Sequence, residues 1–140
     1  MRAHQAARAS RRGPVLRELG LAILLGLALA ACRDANAYDR DTYALTGGGR
    51  SGEGARLMRA YGCGSCHTIP GVTGADATVG PNLAGIAGRA YIAGVLPNTP
   101  TNMVTWIVDP PGVDSLTAMP NLHVSAANAR DIAAYLYTLR

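Results

Sequence analysis

The residues best suited to chemistry form one pentapeptide, Cys63-Gly64-Ser65-Cys66-His67. Two thiols with this spacing can face one edge of a porphyrin across a single turn of chain, and the adjacent imidazole can then reach the iron. C-x-x-C-H is the attachment signature of a c-type haem, in which the thiols add to the vinyl groups. The motif therefore predicts one covalent haem held by Cys63 and Cys66, with His67 as an iron ligand.

Three other chemistries use closely spaced cysteines. A thioredoxin-like dithiol opens a helix after a strand of a βαβ unit, and the sequence predicts no such unit around Cys63. A zinc site needs four ligands, and no second pair of metal-binding residues follows to complete one with His123. A disulfide between Cys63 and Cys66 would close a very short loop and leave His67 without a role. Haem is the preferred interpretation over these three alternatives.

Two predicted helices must position the pentapeptide. Apolar residues share one face of a helix from Glu53 that leads directly into the motif, and Ser125 is suited to cap a C-terminal helix. Gly54, in the first turn of the first helix, predicts the close approach of another backbone, so the two helices should pack together. The apolar positions of the first helix are Leu57, Met58 and Tyr61, and those of the second are Ile132, Tyr135, Leu136 and Leu139.

A third helix is predicted from Thr99 as its cap, through Pro100, to Asp109 before the next two prolines. Its buried face contains Met103, Trp106 and Ile107. The stretch from Thr68 to Asn98 is rich in Gly, Ala, Pro and Thr, and we predict no strand in it. The chain contains no Phe, so a large apolar cofactor would help to fill a thin core. The predicted fold is all-α, with three to four helices and long loops around one haem.

The positive charge of the chain lies in its N-terminal segment. The formal net charge is +4, yet five arginines and one glutamate precede Cys32, whereas eight arginines and eight acidic residues follow Ala31. The chain also has no lysine. A nucleic-acid-binding surface would need a basic patch on the folded domain, so we expect no nucleic-acid partner.

Residues 1–31 have the features of a bacterial lipoprotein signal. Arginines precede the uncharged apolar run from Leu19 to Ala31, which is shorter than the ~20 residues of a typical spanning helix. The run ends in Leu29-Ala30-Ala31-Cys32, which resembles a lipobox and predicts lipidation of Cys32. Cleavage by an ordinary signal peptidase and an uncleaved anchor are the alternatives. We predict a flexible tether over 32–51, a haem domain over 52–140 and a location on the periplasmic side of a bacterial membrane.

Residues 54–139 resemble the mono-haem class I cytochromes c, and particularly the modules associated with subunit II of haem-copper oxidases. The resemblance implies the class I cytochrome c fold. Only the pentapeptide is highly specific by itself, and the ordered set of motifs gives the resemblance its weight. The other residues that carry it are Gly54, Leu57, Met58, Gly80-Pro81, Leu83, Arg89, Trp106-Ile107, Met119-Pro120 and Tyr135-Leu136.

The resemblance also implies roles for single residues. Met119 would be the second axial ligand of the iron, because it lies in an irregular segment beside a proline after the haem motif. His123 is the alternative ligand. The Pro81 carbonyl would accept a hydrogen bond from His67, while Arg89 and Trp106 would bind haem propionates.

The function that follows is the transfer of single electrons without catalysis and without a small-molecule substrate. We expect membrane-bound respiratory complexes as partners, with a terminal oxidase as the acceptor. One alternative is a haem peroxidase or a gas-binding or sensing cytochrome with an open sixth coordination site. Another is a structural or sensing subunit of a respiratory complex.

Overall fold

The computed structural model describes residues 40–140. Both the signal predicted over 1–31 and the lipidation site predicted at Cys32 fall outside the described residues. The described part contains α1 (Ser51–Ala60), α2 (Pro100–Val108), α3 (Pro110–Val113) and α4 (Ala126–Leu136), with 3₁₀ turns at Cys63–Ser65 and Ile86–Gly88. The predicted all-α class is confirmed. None of the helices within 40–140 has the length and apolar character needed to cross a membrane.

Helices α1 and α4 cross at Gly54. A Cβ atom added to Gly54 would overlap the Asp131 carbonyl oxygen and lie 2.9 Å from Tyr135 Cβ. Glycine is therefore needed because the two backbones approach closely, as the sequence predicts. Around this crossing the core gathers apolar side chains of α1, α2 and α4 together with Ile69 and Ile86 from the connecting loops.

The predicted helix caps are present. Thr99 Oγ1 accepts a hydrogen bond from the Asn102 N–H at 3.2 Å, and Ser125 Oγ accepts one from the Asn128 N–H at 3.2 Å. Helix α4 ends at Leu136, so the prediction that Leu139 continues its face is wrong. The chain turns there, and the Leu139 carbonyl accepts a hydrogen bond from the Ala87 N–H at 3.1 Å.

A short antiparallel hairpin corrects the prediction that the chain has no strand. Strands β1 (Tyr91–Ile92) and β2 (Leu96–Pro97) pair through Ile92 and Leu96. The turn needs positive φ at Ala93 (51°) and Gly94 (79°). Alanine rarely adopts this conformation, and the usual signal for such a turn is Asn-Gly or Asp-Gly, so the sequence did not indicate the hairpin.

Residues 40–51 form folded structure where the sequence predicts a flexible tether. Residues 40–45 are helical, and Thr42 and Thr46 are only 2% and 4% exposed. Thr46 Oγ1 donates to the Thr42 carbonyl at 2.6 Å and accepts from the Gly49 N–H at 3.2 Å, so its burial leaves no polar group unpaired. Threonine and glycine make these contacts, and hydrophobic periodicity therefore could not reveal them. The domain limits predicted at residues 32 and 52 remain predictions.

The folded segment is joined to α4 by Arg50 and Asp131. The Arg50 backbone N–H donates to Asp131 Oδ1 at 2.7 Å, and its guanidinium Nη2 lies 3.2 Å from Asp131 Oδ2. Asp131 is 7% exposed, so its carboxylate receives both partners in a largely buried position. Hydrogen bonding to this carboxylate raises the pKa of Arg50 above its ordinary value. A glycine beside this pair, Gly49, lies against the backbone of α4.

Candidate functional site

The pentapeptide forms a tight turn immediately after α1. Gly62 has a φ of 73°, which glycine adopts readily, and redirects the chain away from the helix axis. The Cys63 carbonyl then accepts hydrogen bonds from the Cys66 N–H at 3.3 Å and the His67 N–H at 3.0 Å. Both thiols and the imidazole are therefore held within one compact turn. The two cysteines are half-buried and are not joined in a disulfide.

The state of the Cys63 thiol argues against a redox dithiol. Burial is the main cause that raises the pKa of Cys63 above its ordinary value, and the nearby Cys66 raises this pKa further. Reactive Cys-x-x-Cys pairs instead have a thiol of lowered pKa, which gives a thiolate near neutral pH. The βαβ unit of a thioredoxin-like site is not found in the described part of the chain, and the pKa of Cys63 is raised rather than lowered.

Zinc binding also lacks support in the described structure. Within residues 40–140, no three side chains of His, Cys, Asp or Glu are arranged to hold a metal ion. Structural zinc sites close a tetrahedron with four such ligands. The described residues thus do not form a metal centre from protein ligands alone.

The His67 ring is held in a defined orientation. Its Nδ1 lies 2.7 Å from the Pro81 carbonyl oxygen. A carbonyl can only accept, so Nδ1 is the donor in this contact, and Nε2 is the ring nitrogen left to bind a metal. This is the contact that the resemblance implies for Pro81, and it is the usual way in which proteins orient a metal-binding imidazole.

Gly80 supports the same ring from one face. Its N–H donates to the Cys66 carbonyl at 2.7 Å, and a Cβ atom at this position would lie 2.6 Å from His67 Cε1. The backbone therefore packs directly against the imidazole. Gly80 was not predicted as a site residue, and its position immediately before Pro81 was the available signal.

Met119 lies in the irregular segment 114–125 between α3 and α4. It is half-buried against the core, and its N–H donates to Thr117 Oγ1 at 3.2 Å. Met58 and Met103 are 1% and 2% exposed on helices, so their prediction as core residues is confirmed. His123 is exposed with a φ of 55°. Of the methionines within 40–140, Met119 is the one on an irregular segment.

The structure gives Arg89 and Trp106 different surroundings. Arg89 Nη2 donates to the Asn82 carbonyl at 2.5 Å and to the Ala84 carbonyl at 3.0 Å, so it ties together the loop after Pro81. Trp106 is 7% exposed and belongs to the core. The remaining donors of the exposed Arg89 guanidinium are suited to an added acceptor. The assignment of Arg89 and Trp106 to propionates stays a prediction.

These features fit a covalently attached haem. Two free thiols precede an imidazole whose Nδ1 is engaged by the Pro81 carbonyl, and the chain around them is α-helical with long connections. They define a small α-helical protein of the kind that attaches haem through a Cys-x-x-Cys-His motif.

Comparison with known proteins identifies the family. The family model described as cytochrome c matches residues 51–140, well over half of the sequence, so the chain belongs to the cytochrome c family. Members of this family bind haem c covalently and typically carry electrons. No curated protein matches the chain significantly.

Proposed function

We propose that this protein is a mono-haem electron carrier, anchored by a lipid on the periplasmic side of a bacterial membrane, that passes single electrons to a terminal oxidase. The observation that carries the electron-transfer function is the 2.7 Å hydrogen bond between His67 Nδ1 and the Pro81 carbonyl, beside two free thiols. It presents Nε2 as a ready iron ligand without further rearrangement of the ring.

Each site residue would have a separate task. Cys63 and Cys66 would hold the haem through thioether bonds, His67 Nε2 would bind the iron, and the Met119 thioether would be the second axial ligand. Arg89 and Trp106 would donate hydrogen bonds to the propionates. The haem would supply one iron that cycles between the ferric and ferrous states.

A filled second axial position decides between electron transfer and catalysis. With Met119 and His67 both bound, no coordination site remains for peroxide or a gas, so the protein would have no substrate of its own. A soft thioether favours the ferrous state and raises the reduction potential.

The membrane anchor rests on the lipobox-like sequence that ends at Cys32. Because residues 40–51 are folded on the domain, the chain between Cys32 and the first described residue is limited to 33–39. Even fully extended, seven residues span at most about 25 Å. The anchor would therefore hold the haem domain close to the membrane surface.

The balanced charge of the domain suggests how it would meet the oxidase. The encounter would depend on the closeness of the two proteins at the membrane more than on long-range electrostatic attraction. The residues after Ala31 include eight arginines and eight acidic residues, which leaves little net charge to guide a distant partner. A short tether would instead raise the local concentration of the domain near a membrane-bound acceptor.

Spectroscopy of the purified holoprotein tests the ligand assignment. We expect low-spin ferric haem with a weak near-infrared band from methionine–iron ligation, and slow binding of carbon monoxide by the ferrous protein. Met119→Ala should abolish the band, accelerate carbon monoxide binding and lower the potential. His123→Asn is the matched control, because asparagine tolerates the positive φ of this position, and it should change none of these. High-spin wild-type protein would support the alternative with an open sixth site.

A salt series tests the proposed acceptor. The soluble domain that begins at Arg40, which keeps the folded segment and the Arg50–Asp131 pair, should be oxidised by purified terminal oxidase at a rate that falls only weakly with ionic strength. Charge-steered encounters instead slow steeply as salt screens interactions beyond about 8 Å. A steep decline of the oxidation rate with salt would contradict the proposal that the two proteins meet without electrostatic attraction. A complete lack of oxidation would contradict the assignment of the oxidase as acceptor.

A further inference from the structure

The segment that carries Met119 has a single hydrogen-bonded tie to the rest of the domain. Asn121 Nδ2 donates to Asp109 Oδ1 at 2.9 Å. Within residues 40–140, this is the one hydrogen bond that joins residues 115–124 to a residue outside 114–125. The other hydrogen bonds made by these residues are local turns. Met119 and Leu122 also pack against the core, but the Asn121 side chain provides the hydrogen bond that joins the segment to the rest of the described domain.

Asp109 is a fixed point for this tie because it joins two helices. It ends α2 and precedes α3, and its carbonyl accepts a hydrogen bond from the Val113 N–H at 3.3 Å. Its carboxylate lies so close to Gly112 that a Cβ atom there would overlap it. Pro110, the next residue, is fully buried. The Asp109 side chain is exposed, so the Asn121 amide reaches its carboxylate at the surface of the domain, next to two helices that fix the backbone.

Both ends of the Asn121 amide are used. While Nδ2 reaches Asp109, Oδ1 accepts the His123 N–H at 2.8 Å. This second bond holds the chain where His123 adopts a φ of 55°, just before Val124 enters the core at 4% exposure. Apolar burial of Val124 resists lifting of the segment, but apolar contacts are not directional and do not fix its register. The amide provides the directional restraint two residues after Met119.

We propose that Asn121 is a positioning residue for Met119: its amide bridge between Asp109 and the His123 backbone holds the Met119 segment where the thioether can bind iron. This inference rests on the proposed role of Met119 as a ligand. Asn121 does not touch the iron itself. Loss of the bridge would therefore favour dissociation of Met119 while the attachment of haem through the cysteines stays intact.

Substitutions of Asn121 and Asp109, singly and exchanged, test the proposal. Asn121→Asp has nearly the same shape but replaces the donor with a second carboxylate facing Asp109. We expect the ferrous variant to bind carbon monoxide about threefold faster, since an exposed hydrogen bond to a charged group has been replaced by repulsion. The near-infrared methionine band should weaken in parallel. The double variant Asp109→Asn/Asn121→Asp restores one donor and one acceptor and should return both measurements toward wild type.

Ser115→Asp is the matched control, because it adds the same charge to an exposed position of the segment and removes no hydrogen bond. It should bind carbon monoxide like wild type. Should Asn121→Asp yield no haem protein, Asn121→Ser provides the same measurement without the added charge. An unchanged band and unchanged carbon monoxide binding in Asn121→Asp or Asn121→Ser would overturn the inference, as would an exchange variant that stays impaired although its haem content and thermal stability match wild type.

The wild-type measurement separates failure of this inference from failure of the proposed function. If the wild-type protein lacks the methionine band and binds carbon monoxide rapidly, Met119 is not the ligand and both proposals fail together. If the wild type has the band but the Asn121 variants keep it, only the positioning role is overturned.

Discussion

Substitution of Gly54 by alanine should destabilise the domain at the crossing of α1 and α4. The added methyl group would overlap the Asp131 carbonyl oxygen and lie 2.9 Å from Tyr135 Cβ. A carbonyl is part of the backbone of α4, so no side-chain rotation relieves the overlap and the two helices must move apart. That movement would loosen the apolar contacts at the base of the haem motif.

The expected magnitude follows from two opposing effects. Forcing extra atoms into a packed core costs roughly 1–3 kcal/mol. Replacing glycine by alanine in a helix returns up to about 1 kcal/mol. We therefore expect a net loss of about 1–2 kcal/mol in the free energy of unfolding. For a domain of this size, each kcal/mol lowers Tm by about 4–8 °C, so Tm should fall by about 5–15 °C.

Thermal unfolding of the holoprotein, followed by circular dichroism, measures this effect. Gly52→Ala is the matched control because it lies in the same helix and its Cβ would meet no atom within 4 Å. Both substitutions restrict the unfolded chain equally. The difference in Tm between the two variants therefore measures the steric effect at the crossing of α1 and α4. We expect Gly52→Ala to be neutral or stabilising. A Gly54→Ala protein as stable as the Gly52→Ala protein would refute the steric argument.

Three further predictions concern the site, the folded segment and the anchor. Gly80→Ala should tilt the His67 ring, because the new Cβ would lie 2.6 Å from His67 Cε1, and the ferric spectrum should gain a high-spin component; an unaltered spectrum would contradict the packing. Asp131→Ala should cost about 1–3 kcal/mol in urea unfolding, since the Arg50 N–H loses its acceptor, whereas Asp131→Asn should cost less. Cys32→Ser should release haem-stained protein from membranes or leave an uncleaved precursor, and a shortened form that stays in the membrane would exclude lipidation.

Features that depend on neighbouring residues could be predicted from the sequence. Thr99 and Ser125 cap their helices because a hydroxyl at this position reaches an N–H three residues later, whatever the rest of the fold does. The pentapeptide behaves similarly, since its spacing alone decides that two thiols and an imidazole share one turn. The close approach at Gly54 was also predictable because glycine inside a helix needs a reason.

Features that depend on distant partners could not be predicted in the same way. The turn at Ala93 adopts a conformation that alanine seldom has, so tertiary packing overrides local preference. Asn121 has no marker in the sequence, because its importance comes from Asp109, which follows a different helix. Pro81 was reached only through resemblance to a family. Spacing along the chain does not place its carbonyl beside His67.

The folded segment 40–51 connects stability to the proposed function. The Thr46 hydroxyl bonds to the Thr42 carbonyl and the Gly49 N–H, polar contacts that hydrophobic patterning does not reveal, and the Arg50–Asp131 pair joins the end of the segment to α4. While it is folded, the tether to Cys32 is limited to residues 33–39. Release of residues 40–50 would lengthen the tether from seven to about eighteen residues. For a coil-like tether, effective concentration falls roughly as the −3/2 power of length, which gives about a fourfold decrease. Under the proposed function, the Asp131 carboxylate would therefore help to hold the haem domain close to its acceptor, in addition to stabilising the fold.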